Sequence, residues 1–273
     1  MDTMRKIKFL LLFMFFSCIQ AQPTEKGLYF SQSLGGSINP LGVILNSSLK
    51  YRFPLVKKEG ILWESTKIEM GLQNEWTPTD NLLLARFTFV PIAFFEFTAQ
   101  GGPYVMYRQL GYGYCTFDSS DVPYDYDDLE DVPRHTEVGY WITLTPVLKF
   151  KVSSVILVNA LNINFFSIGD EGYFLERRSH SIHKHKDTDL TDDTFLFYKP
   201  SDKVMIGVNY HFMNVISTSY FSHRMCGVFM FTPKVKAFYN FYAVAMAGVY
   251  MKDNVFNGKP HIALRAGFDL KVR

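Results

Sequence analysis

The residues best equipped for chemistry lie in two polar stretches. His180, His183 and His185 precede Asp187, Asp189, Asp192 and Asp193, a mixture of imidazole and carboxylate that could ligate zinc or another divalent ion. Their spacing matches no defined structural zinc site, so a solvated surface loop of mixed charge is expected. The second stretch holds Asp118, Asp121, Asp125, Asp127, Asp128, Glu130 and Asp131 without a base among them. Hard oxygens suit calcium, but the central glycine of an EF-hand loop is missing. A flexible acidic loop is expected, bridged to Arg177, Arg178, Lys184 and Lys186. No metal or cofactor is expected.

Nucleophilic catalysis needs a serine within reach of a histidine that a third group orients. His211, Asn209 and Asn214 share one stretch, while Ser222 adjoins His223 in another. Neighbours in a strand point to opposite faces, so Ser222 and His223 cannot pair there. A non-enzymatic protein is expected, with a lipid-modifying enzyme as the lesser alternative. Cys115 and Cys226 fall in different strands and are expected to be two buried, unpaired thiols.

The elements that must position these groups read as strands. From Thr66, the residues Ile68, Met70, Leu72, Asn74 and Trp76 alternate with Lys67, Glu69, Gly71, Gln73 and Glu75. Val138 to Val152, Leu161 to Phe165 and Val204 to Met213 alternate in the same way, and helical spacing of comparable length is absent. At the end of the chain, Ile262, Leu264, Ala266, Phe268, Leu270 and Val272 alternate with Ala263, Arg265, Gly267, Asp269 and Lys271. Pro146 should mark a bulge or bend. With aromatics at 16%, including 26 Phe and 16 Tyr, the composition suits strands with aromatic girdles at two interfaces. Mean hydropathy is +0.00, as expected if half of each strand meets lipid and half meets water. A net charge of +2 and the lack of a basic block give no reason to expect nucleic acid as a partner.

At the N-terminus, Arg5, Lys6 and Lys8 precede the apolar run Phe9 to Phe16, and Ser17 to Ala21 follows. This reads as a secretory signal over 1–21 with cleavage before Gln22, since the run is far short of the ~20 residues of a membrane helix. The segment 22–273 is then one domain.

The end segment also resembles the C-terminal signal of bacterial outer-membrane β-barrels: Arg265, Gly267, Leu270 and Val272 fit it, with Val272 and Arg273 standing where the family usually ends on an aromatic. The resemblance implies export as an unfolded chain and insertion into outer-membrane lipid by the barrel assembly machinery. The expected fold is all-β, an antiparallel up-and-down transmembrane barrel of about twelve strands, with ten and fourteen left open. A soluble secreted β-sandwich is the rival reading.

Twelve strands are expected near 27–36, 42–53, 64–76, 82–89, 93–116, 135–152, 154–180, 193–199, 203–213, 222–231, 236–250 and 260–272. Gly169 to Gly172 is read as a bulge in one long strand, and 181–192 as a loop. Short turns at Val90-Pro91-Ile92, Pro200-Ser201-Asp202 and Thr232-Pro233-Lys234 should share the periplasmic side with both termini. A three-residue turn at Val90 to Ile92 would place Arg86 across from Glu96, an expected lumen contact.

The expected lumen face carries Lys67, Glu69, Gln73, Glu75, Arg86, Glu96, Gln100, Lys149, Asn162, Asn164, Asn209, His211, Arg265 and Asp269. Mixed charges with amides argue against a one-signed selectivity ring. A small pore for polar solutes is the expected function, with a closed structural or surface-interaction barrel as the alternative.

Overall fold

The computed structural model describes residues 25–56, 62–63, 65–108, 113–121 and 132–272. The signal segment and most of the acidic loop lie outside the described residues. Twelve strands form the wall. They are β1 (Gly27–Ile38), β2 (Gly42–Pro54), β3 (Lys67–Trp76), β4 (Asp80–Ile92), β5 (Phe95–Met106), β7 (Glu137–Val152), β8 (Val155–Ile168), β11 (Lys186–Ser201), β12 (Val204–Val215), β13 (Tyr220–Phe231), β14 (Asn240–Lys252) and β15 (Pro260–Lys271). Three short strands, β6 (Thr116–Phe117), β9 (Tyr173–Glu176) and β10 (Ser181–Lys184), make a separate sheet in the order β10–β9–β6.

The wall closes because every strand pairs antiparallel with two neighbours. In the ring, β5 lies beside β7, β8 beside β11, and β15 returns to β1 through the pairs Tyr29 to Lys271 up to Ile38 to Ile262. A closed sheet leaves no edge with unpaired backbone groups.

Alternation decides which side chain goes where, and the two faces invert the soluble rule. On β3, Met70 and Leu72 are 49% and 60% exposed, whereas Glu69 and Gln73 are 7% and 4% exposed. On β12, Ile206 and Val208 are exposed while Asn209 is buried. On β15, Ile262 and Leu264 face out while His261 is buried. Large apolar groups outside and hydrogen-bonded polar groups inside are what a barrel in lipid requires. A sandwich would bury those apolar faces against a second sheet, and no such sheet covers them among the described residues. The chain is an inside-out barrel.

The start of β1 and the end of β15 lie at one end of the barrel, with the turns Ala93–Phe94, Ser153–Ser154 and Asp202–Lys203. The described parts of 107–136, with 169–185 and 253–259, connect strands at the other. The expected turns at 90–92 and 200–202 are displaced to Ala93–Phe94 and Asp202–Lys203, and the one expected at 232–234 is the longer connection 232–239.

Four expectations about local structure need correction. Arg86 does not face Glu96. Its partner in register is Gln100, because the β4–β5 turn is at Ala93–Phe94, Ile92 pairs with Phe95, and a one-residue register shift between Phe89 and Ile92 follows. The slide is four residues, an even number, so every face stays as expected while every partner changes. The segment 154–180 is not one strand. It turns at Gly169 and Gly172, both at positive φ (70° and 78°), and leaves the wall as β9. The segment 181–192 is not a loop but β10 and the first half of β11, so the strand expected at 193–199 begins at Lys186. Likewise the strand expected at 93–116 ends at Met106.

Pro146 produces no register shift. It pairs with Phe97 in β5, and the β7–β8 ladder resumes in the same register at Val147 to Ala160. The missing N–H costs local pairing with β8 rather than a bend. Cys115 and Cys226 are both buried and unpaired, as expected. Cys115 lies outside the wall, and burial raises its thiol pKa despite the nearby Arg177 and Arg134.

Candidate pore lumen

The fourteen expected lumen residues all lie on the strand face opposite the exposed apolar belt, and seven of them are hydrogen-bonded to another of the set. Toward the end that holds the termini, Arg52 Nε donates to Glu69 Oε1 at 2.5 Å and Lys67 Nζ approaches the same oxygen at 3.1 Å. Lys149 Nζ donates to Glu96 Oε2 at 2.6 Å, so the real partner of Glu96 comes from β7. Arg86 Nη1 donates to Gln73 Oε1 at 2.8 Å, and Gln73 in turn donates to Glu75 at 2.6 Å. Gln100 lies across from Arg86. Arg265 donates to Ser33 at 2.8 Å, and Asp269 takes the Ser31 hydroxyl.

Further round the wall, Asn162 accepts from Thr145 at 2.8 Å. Asn164 accepts from Thr143 at 2.7 Å and donates to Asp189 at 2.6 Å. Asn209 and His211 share Asp193, at 3.1 and 3.0 Å. Asn214, grouped with them by sequence, points the other way and donates to the Tyr220 carbonyl. Ser222 is buried inside, while His223 faces out and meets Tyr210, so the two do not pair.

The largest departure from expectation fills the outer half of the lumen. The β9–β10 hairpin folds inward, and its Phe174 packs in a buried cluster with Leu82, Leu84, Tyr104, Met106, Tyr114, Phe166 and Ile168. All but Tyr114, which precedes β6, come from β4, β5 and β8, so the apolar residues that break the polar inner face are the seat of the hairpin. The Trp141 ring stacks on Phe166 at 5.0 Å and meets Tyr104 edge-on at 5.4 Å.

Polar contacts fix the tip. Arg178 Nη1 reaches Glu75 Oε2 at 2.6 Å and its Nη2 reaches Asp80 Oδ1 at 2.6 Å, a guanidinium held between β3 and β4. Burial works against that charge, but Asp80 and Glu75 more than offset it and raise the Arg178 pKa. The Tyr104 hydroxyl donates to Glu176 Oε1 at 2.9 Å, and the Ser179 hydroxyl donates to Glu176 Oε2 at 2.6 Å. The expected bridge from Arg178 to the acidic loop falls mostly on residues outside the described ones, and His180 and His183 are not on a solvated loop: they are 2% and 0% exposed.

A chain of contacts runs along the hairpin. Ser179 Oγ lies 2.6 Å from Ser181 Oγ, Ser181 Oγ lies 2.7 Å from His183 Nε2, and His183 Nδ1 lies 3.6 Å from Asp187 Oδ2. Serine, histidine and aspartate thus come together at residues that sequence reasoning did not connect. Ser181 is 0% exposed, which closes its oxygen to a substrate in this arrangement. The chain rigidifies the hairpin. Among the described residues, no group of three or more His, Cys, Asp or Glu is placed to hold a metal ion.

Beside the hairpin a cavity of about 270 Å³ remains, lined by Trp141, Ser179, Asp189, His211, Arg224 and Tyr250, among others. Its walls mix acid, base and aromatic groups. Sequence reading missed Arg52, Asp80 and Arg224, and placed Asp189, Asp193 and Arg178 in loops rather than in the lumen. The alternation of Lys50 and Arg52 with Leu49, Tyr51 and Phe53 could have shown the first.

No family model and no curated protein matches the chain. Solved barrels are similar in shape. The translocator domain of the autotransporter NalP from Neisseria meningitidis is 10% identical, with 98% of this chain and 94% of that chain covered, at a TM-score of 0.46. The NanC porin is 9% identical over 89% and 100% at 0.43, and an outer-membrane channel from Pseudomonas putida F1 is 10% identical over 93% and 99% at 0.41. Strand count and face assignment rest on this chain's own pairing and exposure.

Glu176 gives the lumen a pH dependence. Burial opposes its charge, but the Ser179 hydroxyl and N–H, the nearby His183 and the Arg178 N–H lower its pKa below the ordinary 4.5. A carboxylate with a depressed folded pKa contributes stability that is present above the unfolded value and lost as pH falls through the folded one. The hairpin is therefore expected to loosen below pH ~4. Protease cleavage within 173–184 should rise there, and Glu176→Gln should remove part of the step. Protection unchanged down to pH ~2 would contradict this account.

Proposed function

We propose that the protein is exported through a cleaved N-terminal signal, inserted into the bacterial outer membrane by the barrel assembly machinery, and serves there as a narrow, non-enzymatic pore for small polar solutes. The observation that carries this reading is the polar inner face of a closed barrel surrounded by an exposed apolar belt. Water and polar solutes would be favoured inside such a wall, and lipid outside. The seated β9–β10 hairpin sets the bore and favours low conductance. It also favours a second reading, a closed barrel that serves structure or surface contact, in which the hairpin never leaves. The zero exposure of Ser181 supports a non-catalytic role for the Ser181–His183–Asp187 chain.

Planar-bilayer recording separates these readings. Refolded chain lacking 1–21, with insertion checked by heat-modifiable gel mobility, should give small discrete conductance steps. Insertion without any steps would favour the closed barrel.

A further inference from the structure

We propose that two copies of this chain associate side by side in the membrane through the outer wall of β8, β11, β12 and β13, with Asp192 of each copy against His223 of the other. The proposal rests on the reading that the outer belt faces lipid, but not on conduction.

The alternation that sends Asp193 inward to His211 sends Asp192 outward, onto the same face as the exposed Leu196 and Tyr198. There, Asn159 Nδ2 donates to both Asp192 oxygens at 3.0 and 2.8 Å and to Thr194 at 2.9 Å, and Thr194 donates to Asp192 at 3.0 Å. Two strands on, His223 Nδ1 meets the Tyr210 hydroxyl. That is the only hydrogen bond of His223 among the described residues, so its Nε2 is left without a partner on the lipid side. Lys252 lies across from His223 and sits over the Phe221 ring at 3.8 Å.

Acyl chains offer no hydrogen-bonding groups, so a carboxylate and an imidazole in an apolar belt call for protein opposite them. Gln32, Ser47, Asn74 and Asn81, also on the outer face, carry no charge, and the outward Lys186 and Lys252 stand at strand ends rather than in mid-strand. Among the described residues, Asp192 is the one carboxylate that the wall strands present outward.

The patch is complementary to itself. Phe212 pairs with Asp192 on one side and with His223 on the other, so acid and base flank a shared aromatic. Half a turn about the membrane normal beside Phe212 brings the acid of each copy to the base of the other, the requirement of an isologous interface. Both oxygens of Asp192 keep free acceptor sites for Nε2–H. The patch is continuous with an apolar groove of about 820 Å³, bounded by Leu196, Val208, Phe229 and Leu264 over the small Gly227 and Ala247. Small residues there permit close approach of a second wall.

The test uses the full barrel reconstituted in lipid and in mild detergent, with mass measured by light scattering. Twice the chain mass is expected, and Phe212→Cys, beside the two-fold axis, should form a disulfide-linked pair on mild oxidation, whereas Leu72→Cys on the opposite wall should not. Asp192→Asn and His223→Gln should each weaken association at least tenfold while heat-modifiable mobility stays intact. A single-chain mass at all concentrations, with or without bound lipid, would overturn the proposal, as would equal cross-linking from both walls. Failure to insert at all would instead sink the membrane reading.

Discussion

Arg178→Ala should raise single-channel conductance several-fold without dismantling the barrel. Among the described residues, Arg178 is the one side chain that ties the hairpin tip to β3 and β4 together, through Glu75 and Asp80. Its removal leaves two carboxylates facing a shortened side chain, and Asp80 is only 1% exposed. Breaking a buried ion pair from one side costs on the order of 3–5 kcal/mol, because the surviving charge is uncompensated. The wall does not depend on that contact, since its twelve ladders are backbone bonds. The strained part is the hairpin, which can relieve the cost by swinging out and admitting water to both acids. Conductance should rise, protease should cut within 173–184, and heat-modifiable mobility should persist. Asp80→Asn should act in the same direction and more weakly, since Thr77 and Thr79 still hold that side chain. Unchanged conductance in an intact barrel would show that the hairpin does not set the bore.

The second large effect belongs to the outer face. Leu264→Arg and Val208→Arg put a guanidinium where the side chains are 61% and 47% exposed to the apolar surroundings of the belt. Near a bilayer midplane, arginine costs ~2–4 kcal/mol on the lipid side of a barrel. Arg265→Leu, one residue away, alters the inner face and loses only the bonds to Ser33. Folding into lipid vesicles, titrated with urea, should separate them clearly, with Leu264→Arg the weaker folder. Equal losses at 264 and 265 would mean that the two faces have been assigned the wrong way round.

The period of two was legible wherever one face is apolar and the other polar, as in β3, β12 and β15. Register was less so. Between β4 and β5 an even slide leaves each face intact, and the Ala93–Phe94 turn carries no glycine or asparagine to announce itself. The first half of β11 was illegible for a different reason. Asp189, Thr191 and Asp193 face in while Asp192 and Thr194 face out, so polar residues fill both faces and the stretch reads as a loop. That same loss of contrast marks the outer patch. The hairpin was hidden because its two short strands were split between an expected long strand, 154–180, and an expected loop, 181–192. A strand pattern says that a segment is extended, not which sheet it joins. Gly169 and Gly172 announced the turn, and treating 154–180 as a single wall strand obscured what followed it. The candidate lumen residues were legible by parity alone, whereas Arg178 and Asp80 become neighbours only once the hairpin is seated.

The seam between β1 and β15 sets an order of events. It pairs Tyr29 with Lys271, residues separated by nearly the whole chain, so its ladder has the longest loop to close. The hairpin lies between β8 and β11 in the chain and seats on β4, β5 and β8, all of which precede it. It can therefore find its place while the wall is still an open, curling sheet, before the last strand arrives. Once the seam is zipped, the only way in is through the mouth.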